Sequence, residues 1–475
     1  MVYSAIVYKE EFAPMKGRRL LVLLCLAVAL LPGSIAAGQE ETARNLSKAC
    51  RIEKNGADAL YSHDGNYKTY TAYGPEDTLT IRAKEQMGAL YFRLGTAEGA
   101  FTAEQTDENG AVLCQETKFV QGYILLMELM EGCTEVRITA REPLSVCEVQ
   151  VYGPGTLPDL VLPEPPVAET DFLIVTTHPD DEWIFLGAVY PIYGKERGYT
   201  GTIAYVTTPN LGRVHEAINS TWAAGMPTLP YFLGFPDVDR AAPQKLKNTF
   251  QKEEVTLALV RLYRQIRPLV VVAQDPEKGE YGHWQHIISA QSAREAALLA
   301  ADESFDSESV EEYGVWTVQK VYQHLAKENP LELDVTSPLS AYGGLSALEV
   351  AKLAFKEHKS QQKYVFRPAI GPKSKGDIRF FGLTYSTLGP DTGNDMFEHI
   401  REKDLVIHRN EPTPTPTAAA TPVPTAAPTT APTIAPTPAP EPEPEKRIAG
   451  PWGFALAAAA GLGLVLAGKR LRHRT

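Results

Sequence analysis

Two short segments of the chain carry the residue types that catalytic zinc sites use. The first is residues 177–182 (THPDDE) and the second is residues 282–286 (GHWQH). An imidazole and a carboxylate from the first segment, with an imidazole from the second, supply three ligands and leave a position for water or substrate. Asp180 is a second carboxylate, able to act as a base. Each segment alone also has a structural explanation, because HPD is common in turns and HxxH on helix faces.

The elements around these segments predict where they lie. Phe172–Thr176 reads as a buried strand directly before the first segment, and Gly201–Thr207 reads as another. Leu269–Ala273 reads as a third strand before the second segment and follows a helical stretch, Glu253–Ile266. Strands that alternate with helices predict a parallel sheet covered on both faces. Sites in such sheets form at the carboxyl ends of the strands, so we expect both segments at one edge.

This part of the chain, residues 171–405, resembles the PIG-L/LmbE-like deacetylases. HPDDE with a later GHxxH carries the resemblance. Further matches are Arg213 with Glu216 (R-x-x-E), residues 233–237 (LGFPD), and Ala354 with residues 358–361 (HKSQ). The resemblance implies an α/β, Rossmann-like fold with a parallel sheet. It also implies hydrolysis of N-acetyl groups on glucosamine-containing compounds, usually with zinc and with Fe²⁺ as an alternative metal.

The resemblance also implies roles for individual residues. The implied zinc ligands are His178, Asp181 and His286. Asp180 would be the general base, and His283, as an imidazolium, would polarise the carbonyl and help to protonate the leaving amine. Arg213 and Asp237 would help to hold the sugar. Beside these implied roles, the position of Glu182 indicates that it orients a ligand or sits favourably in the first turn of the following helix.

Three positions between and beside these residues depart from the family pattern. Thr177 replaces the usual alanine, a change that we expect to be harmless. Trp284 and Gln285 replace the common small or acidic pair between the histidines. We therefore expect bulk at the rim of the cleft, which would alter the size and shape of the substrate and leave the metal site intact.

Residues 39–155 have a different character. Short alternating runs separated by turn residues read as strands at Thr78–Ile81, Leu90–Leu94, Val136–Thr139 and Val146–Val151. They predict an all-β jelly-roll sandwich before the α/β domain. This region resembles a discoidin-like, galactose-binding-like module, on residues 64–66 (DGN), Thr69 and residues 147–153 (CEVQVYG).

Modules of that type often bind sugars and often hold a structural calcium. The resemblance places calcium at Asp64, Thr69 and Glu148, since calcium prefers oxygen ligands. DGN is also an ordinary turn sequence, and Tyr70 or Tyr73 stands where the family has a tryptophan. Sugar binding and a purely structural spacer role therefore both stay open.

The beginning of the chain has the features of an export signal. Residues 1–38 contain a basic patch, an apolar run at Leu20–Leu31 and small residues at Ala36 and Ala37. A retained membrane helix is the alternative. The four remaining cysteines, Cys50, Cys114, Cys133 and Cys147, all lie in the β region. An oxidising compartment would allow two disulfides, and free buried thiols are the alternative.

The end of the chain predicts a membrane anchor. Residues 156–170 form a proline-rich linker, and residues 411–447 form a Pro/Thr-rich stalk. Residues 448–468 are apolar and long enough to span a bilayer, and the basic tail at 469–475 predicts a cytoplasmic C-terminus. We expect a single-pass protein of the cell membrane with an extracellular catalytic domain.

The sequence as a whole therefore predicts a cell-surface, zinc-dependent hydrolase that removes the acetyl group from an N-acetylglucosamine-type sugar or glycoconjugate. A net charge of −12 gives no sign of nucleic-acid binding. The alternative is a stalked glycan-binding adhesin with an inactive deacetylase-like domain, and a third is the same metal centre acting on a different amide. Retention of His178, Asp180, Asp181, His283 and His286 disfavours the inactive domain. Nothing in the sequence defines the oligomeric state.

Overall fold

The computed structural model describes residues 41–371 and 376–409. The predicted signal sequence, stalk, membrane helix and basic tail fall outside these residues. Across the described ranges, no helix is both long enough and apolar enough to cross a membrane.

The N-terminal region forms two antiparallel sheets. Its strands are β1 (Arg51–Lys54), β2 (Ala57–Asp58), β3 (Thr71–Tyr73), β4 (Thr78–Arg82), β5 (Ala89–Leu94), β6 (Glu98–Thr106), β7 (Val112–Gln121), β8 (Ile124–Glu128), β9 (Glu135–Ala140) and β10 (Leu144–Tyr152). One sheet has the order β2-β1-β4-β9-β6-β7 and the other β3-β10-β5-β8. Buried residues of both sheets, such as Ile81, Phe92, Phe101 and Val149, share one core. This all-β region is called the sandwich below; its jelly-roll topology stays a prediction.

The four cysteines of the sandwich are free thiols. The two disulfides expected for an oxidising compartment are therefore not formed. Burial raises the pKa of Cys50 and of Cys133 to about 11, and that of Cys147 to about 12. These three side chains are protonated at neutral pH and serve as small apolar groups.

The α/β region is built on one seven-stranded sheet. Its strands are β11 (Phe172–Thr176), β12 (Gly201–Thr207), β13 (Tyr231–Phe235), β14 (Val270–Ala273), β15 (Lys320–His324), β16 (Pro330–Glu332) and β17 (Phe380–Ser386), in the order β13-β12-β11-β14-β15-β17-β16. The first five are parallel, but β17 runs antiparallel to both of its neighbours. The prediction of a parallel sheet is therefore wrong at this edge, where an antiparallel neighbour needs no crossover helix.

Helices cover both faces of this sheet. They are α1 (Asp181–Ile184), α2 (Leu211–Ala223), α3 (Gln244–Lys247), α4 (Lys252–Ile266), α5 (Gly279–Gly282), α6 (Trp284–Leu299), α7 (Ser307–Tyr313), α8 (Ala347–Phe355) and α9 (Val406–Arg409). Phe172 and Ile174 of β11 face one core, which α2 and α8 complete. Leu173 and Val175 face the other, which α4 and α6 complete. Both faces of β11 are thus buried, as its unbroken apolar run predicts.

Candidate active site

Parallel pairing brings the two histidine-containing segments together. β11 pairs with β14 from Phe172 opposite Val270 to Val175 opposite Ala273, so both strands end at the same edge. Just beyond them, the backbone N–H of Thr177 donates to Oε1 of Gln274 at 2.8 Å, and its hydroxyl donates to the same atom. The prediction that both segments lie at one edge of the sheet is confirmed by this pairing.

The turn into α1 is strained at Asp180, which has φ 133° and ψ −29°. A residue with a side chain rarely adopts this conformation, so surrounding contacts must hold it. The backbone N–H of Asp180 donates to Oε2 of Glu182 at 2.6 Å, and Oε1 of Glu182 lies 2.7 Å from Nε2 of His358. Both partners of this pair are buried. Glu182 therefore orients Asp180 through the backbone and is itself held by His358.

Three ligand atoms converge at the floor of the site. Nδ1 of His178 lies 3.0 Å from Oδ2 of Asp181 and 3.2 Å from Nε2 of His286. Nε2 of His286 lies 3.1 Å from the same Asp181 oxygen. Ligand atoms of a tetrahedral zinc ion, each about 2.0–2.2 Å from the metal, lie roughly 3.3 Å apart. Two imidazole nitrogens and one carboxylate oxygen in a triangle of this size fit a divalent metal such as zinc.

The electrostatics of these three residues also favour a cation. Burial alone would lower the pKa of both imidazoles. Contacts with Asp181 and Asp237 instead raise the pKa of His178 to about 10, and contacts with Asp181 and Glu280 raise that of His286 to about 9. Burial opposes ionisation of Asp181, but His286 and His178 hold its pKa well below the ordinary value. Protons on the two imidazoles thus supply, in the metal-free protein, the positive charge that a metal would bring.

His283 lies beside these ligands, at the start of α6. Its ring centroid is 4.9 Å from those of His178 and His286. Burial, together with the charges of those two imidazoles, lowers the pKa of His283 to about 3. The imidazolium form that we expected is therefore disfavoured in the free protein, because His283 has cationic neighbours. The neutral ring offers one N–H donor and one acceptor nitrogen.

Asp180 and the two expected sugar-binding residues line a cleft of about 320 Å³. Arg213 donates from Nη2 to Oδ1 of Asp180 at 2.8 Å and also to the carbonyl of Pro179. Burial raises the pKa of Asp180 to about 7, although Arg213 opposes the shift. Oδ1 of Asp237 lies 3.4 Å from Nε2 of His178, the ring nitrogen that faces away from Asp181. Asp237 therefore also orients a residue that would bind the metal.

The other segments that carried the family resemblance support this cleft. Ser360 donates from its backbone N–H and its hydroxyl to Glu216 at 2.8 and 2.7 Å. Gln361 follows directly and lines the cleft. The LGFPD segment spans the end of β13 and leads to Asp237. These contacts give the R-x-x-E, LGFPD and HKSQ segments a common structural role at one site.

Two groups of site residues were missed by the sequence reasoning. One is Glu280, fully buried, whose carboxylate lies 2.7 Å from Nδ1 of His286 and 3.1 Å from Nδ1 of His324. A glutamate so close in sequence to a histidine that was expected to bind metal was a usable signal. The other is an aromatic wall that includes Tyr281 and Phe366, with ring centroids 4.7 Å apart. Only the fold brings these two rings together.

The expectation of bulk at the rim is wrong. Trp284 does not line the cleft. Its ring centroid lies 5.6 Å from that of Phe250, and the side chain packs on a core of the α/β region. Residues two apart on a helix point in nearly opposite directions, so Trp284 points away from His286. Gln285 is buried and holds the loop after β13, because it donates to the carbonyl of Pro236 and accepts from the N–H of Val238.

The predicted calcium residues of the sandwich also lie close together. The hydroxyl of Thr69 donates to Oδ2 of Asp64 at 2.7 Å, and the N–H of Gly65 donates to Oε2 of Glu148 at 2.8 Å. These hydrogen bonds close the loop at residues 64–69 and use oxygens that calcium would need. Calcium binding here, like sugar binding, stays a prediction.

A second group of potential ligands among the described residues is Asp391, Glu398 and His399. Asp391 already accepts from Nζ of Lys320 at 2.6 Å, and Glu398 accepts from backbone N–H groups of Thr392 and Gly393. These carboxylates are engaged by the protein itself, so the cleft is the better metal site.

Parts of this chain are similar to known proteins. Residues 173–297 match the family model PIG-L: GlcNAc-PI de-N-acetylase. The chain is 31% identical over 202 residues to 1D-myo-inositol 2-acetamido-2-deoxy-alpha-D-glucopyranoside deacetylase 1 of Catenulispora acidiphila, with 36% of this chain and 60% of that protein covered. It is 28% identical over 198 residues to the corresponding deacetylase of Rhodococcus opacus, with 35% and 65% covered. The matches span less than two thirds of either relative.

Among solved structures, the chain is similar to N,N'-diacetylchitobiose deacetylase from Pyrococcus horikoshii, with a TM-score of 0.32 and 18% identity over 40% of this chain and 71% of that one. The family match, residues 173–297, includes both histidine-containing segments of the cleft. The α/β region of this chain is therefore similar to PIG-L family deacetylases.

Proposed function

We propose that this chain is a metal-dependent hydrolase that removes the acetyl group from an N-acetylglucosamine-type sugar or glycoconjugate. One observation carries the proposal: potential ligand atoms of His178, Asp181 and His286 lie within 4.8 Å of one another, beneath a cleft that Asp180 and His283 line. A base, a hydrogen-bond donor and a metal site at one cleft are what hydrolysis of an unreactive amide requires.

The metal would be held by His178, Asp181 and His286, with zinc preferred for this ligand set and iron as the alternative. When bound, it would supply Lewis-acid polarisation of the amide carbonyl and a lowered water pKa. We assign proton uptake from the attacking water to Asp180, with Arg213 holding Oδ1 so that Oδ2 is the accepting atom. The neutral ring of His283 donates its N–H to the developing oxyanion.

The remaining steps balance without another cofactor. Oxygen of the water bonds to the carbonyl carbon, and the carbon–nitrogen bond then breaks. The proton that Asp180 has taken up passes to the leaving nitrogen, so acetate and an amine are released. A pKa of about 7 for Asp180 in the metal-free protein is close to neutral pH, which suits a group that both accepts and returns a proton.

The walls of the cleft support a sugar as the substrate. Phe185, Tyr281 and Phe366 provide an apolar side, while Arg213 and Asp237 provide charged hydrogen-bonding groups. A sugar ring has one more apolar face and a rim of hydroxyls, and it fits such a combination. The names of the two relatives above, both deacetylases of an acetamido-glucopyranoside, support the acetamido sugar class for this chain as well.

Acetate release from a panel of N-acetylated sugars tests the proposal. We expect the metal-loaded full chain to release acetate from at least one glucosamine-type substrate, and the chelated protein to release none until zinc is restored. The same assay on His399→Ala, which changes an exposed histidine remote in sequence from the cleft motifs, should give wild-type rates. Metal-loaded protein that is inactive on every N-acetylated sugar would contradict the proposal.

We further propose that the protein is anchored in the cell membrane by residues 448–468, with the catalytic domain outside and the C-terminus in the cytoplasm. The apolar span, the basic residues after it and the Pro/Thr-rich stalk before it support this orientation. Protease added to intact cells should cut the stalk and release the deacetylase domain. Full protection of that domain in intact cells would reverse the orientation.

A further inference from the structure

The sandwich packs tightly against the α/β region through two of its turns. Tyr123, between β7 and β8, is 8% exposed and belongs to a core of the α/β region. Its ring centroid lies 5.7 Å from that of Phe232 on β13, and the two rings are nearly perpendicular. At the turn after β5, a Cβ atom added to Gly95 would lie 2.8 Å from Cδ1 of Leu211, the first residue of α2. The sandwich is therefore docked on the α/β region by close packing.

The centre of this contact is His215 on α2, which is completely buried. Its Nε2 lies 3.1 Å from the carbonyl oxygen of Leu94, the last residue of β5. Its ring packs edge-to-face with that of Tyr67, and the two ring centroids are 5.2 Å apart. Burial, reinforced by Arg93, lowers the pKa of His215 to about 3. The ring is thus neutral and donates its N–H across the contact.

The same helix reaches the cleft from its other side. Residues of a helix are rotated by about 100° each, so Arg213 and His215 point in nearly opposite directions. Arg213 donates to Asp180, and Glu216 accepts from Ser360 beside the cleft residue Gln361. The first two turns of α2 therefore lie between the sandwich and the catalytic cleft.

We propose that the sandwich is a positioning element of the active site: by docking on α2 through His215, it holds Arg213 against Asp180. The inference rests on the proposed deacetylase function. A helix of this length is marginal without tertiary packing, and the sandwich supplies that packing on one face of α2. A module that only captured glycan would raise the local concentration of polymeric substrates and leave turnover of small ones unchanged. A positioning element is needed for both.

His215→Ala in the full chain tests this role. We expect kcat on a small N-acetylated sugar to fall about 10- to 100-fold, since a displacement of roughly 1 Å in a catalytic site has effects of this size. Metal content should be unchanged, while backbone hydrogen exchange should accelerate at residues 211–217 and 178–182. His215→Gln keeps an N–H donor for the Leu94 carbonyl and should restore most of the rate. Phe119→Ala, at a 71% exposed position of β7, is the matched sandwich control.

Gly95→Val tests the same contact from the sandwich side, because a Cβ atom there would lie 2.8 Å from Cδ1 of Leu211 and 3.0 Å from Cβ of Ser145, so the packing at this turn must shift. It should lower kcat on the small substrate and accelerate exchange in α2, with circular dichroism showing that the fold is retained. Normal kcat in His215→Ala despite faster exchange in α2 would overturn the proposal. If the wild-type protein released no acetate at all, the deacetylase proposal would fail. The positioning role would then be decided by hydrogen exchange at residues 178–182 in His215→Ala. Faster exchange there would support it, and unchanged exchange would overturn it.

Discussion

The carboxylate of Glu280 lies 2.7 Å from Nδ1 of His286, the ring nitrogen opposite the one that faces His178 and Asp181. Glu280 adopts a positive φ of 57°, and its second oxygen accepts the backbone N–H of Asp275 at 2.8 Å. A hydrogen bond of this kind fixes the orientation of an imidazole and increases its basicity as a ligand. The strained backbone of Glu280 therefore places a carboxylate where it can strengthen metal binding.

Replacing Glu280 by Gln should weaken metal binding while leaving the three ligands in place. Loss of such a partner typically costs about 10- to 100-fold in metal affinity. Competition with a zinc chelator measures the change directly, without reference to turnover. The control is Glu277→Gln, at an exposed position in the same loop. Equal zinc affinity in Glu280→Gln and the wild type would show that the contact has no influence on the metal.

Asp181→Asn and His286→Ala should remove the metal itself. Asp181→Asn replaces an anionic ligand by a neutral amide, and His286→Ala deletes a ligand atom. Elemental analysis of the purified protein should therefore show a fall from about one metal ion per chain to far less. Activity should be lost as a consequence, with partial rescue of Asp181→Asn by excess zinc. Metal content that is unchanged in both variants would refute the assigned ligands.

Asp180→Asn should separate the base from the ligands. The amide keeps the shape of the carboxylate but loses its basicity, so zinc should stay bound while kcat falls about 10²- to 10⁴-fold. Substrate affinity should change little, because the lost interaction acts mainly in the transition state. Asp239→Asn is the matched control, since Asp239 is exposed and accepts a hydrogen bond from Ala241 in its own loop. Near-normal turnover in zinc-loaded Asp180→Asn would exclude Asp180 as the base.

The metal-free protein should become less stable as the pH rises above neutrality. His178 and His286 have folded-state pKa values of about 10 and about 9, above the ordinary value of 6.5. Their protonated forms therefore contribute stability that is complete below pH 6.5 and is lost as the pH rises through about 9 and about 10. Melting temperatures of the chelated protein should fall between pH 7 and pH 10. Zinc should reduce this fall, because metal binding displaces the same protons. A chelated protein with a constant melting temperature over this range would contradict the expectation.

Local sequence patterns were sufficient to predict the strands that precede the two histidine-containing segments. Strands β11 and β12 begin and end where they were predicted, because strands buried on both faces are rich in apolar residues and leave a clear signal. Strands β13 and β15 were not predicted, nor were β16 and β17. The antiparallel edge that they form with the sheet depends on long-range pairing, which periodicity does not record.

Side-chain direction limited the prediction of the site in the same way. The residue types in both histidine-containing segments identified the groups that meet in the cleft, but Trp284 was placed at the rim although it packs on a core. Its direction follows from the register of α6, which begins at Trp284 itself. The neutral state of His283 depends on how closely His178 and His286 approach it, a distance that only the folded chain defines.

The unpaired cysteines of the sandwich have a consequence for how the protein is made. Because Cys50, Cys114, Cys133 and Cys147 are free, no covalent loop restricts the unfolded chain, and the stability of the sandwich rests on its apolar core. Formation of this fold then requires no oxidant to make disulfides. Production of the protein in a reducing host is therefore compatible with the thiols of the sandwich.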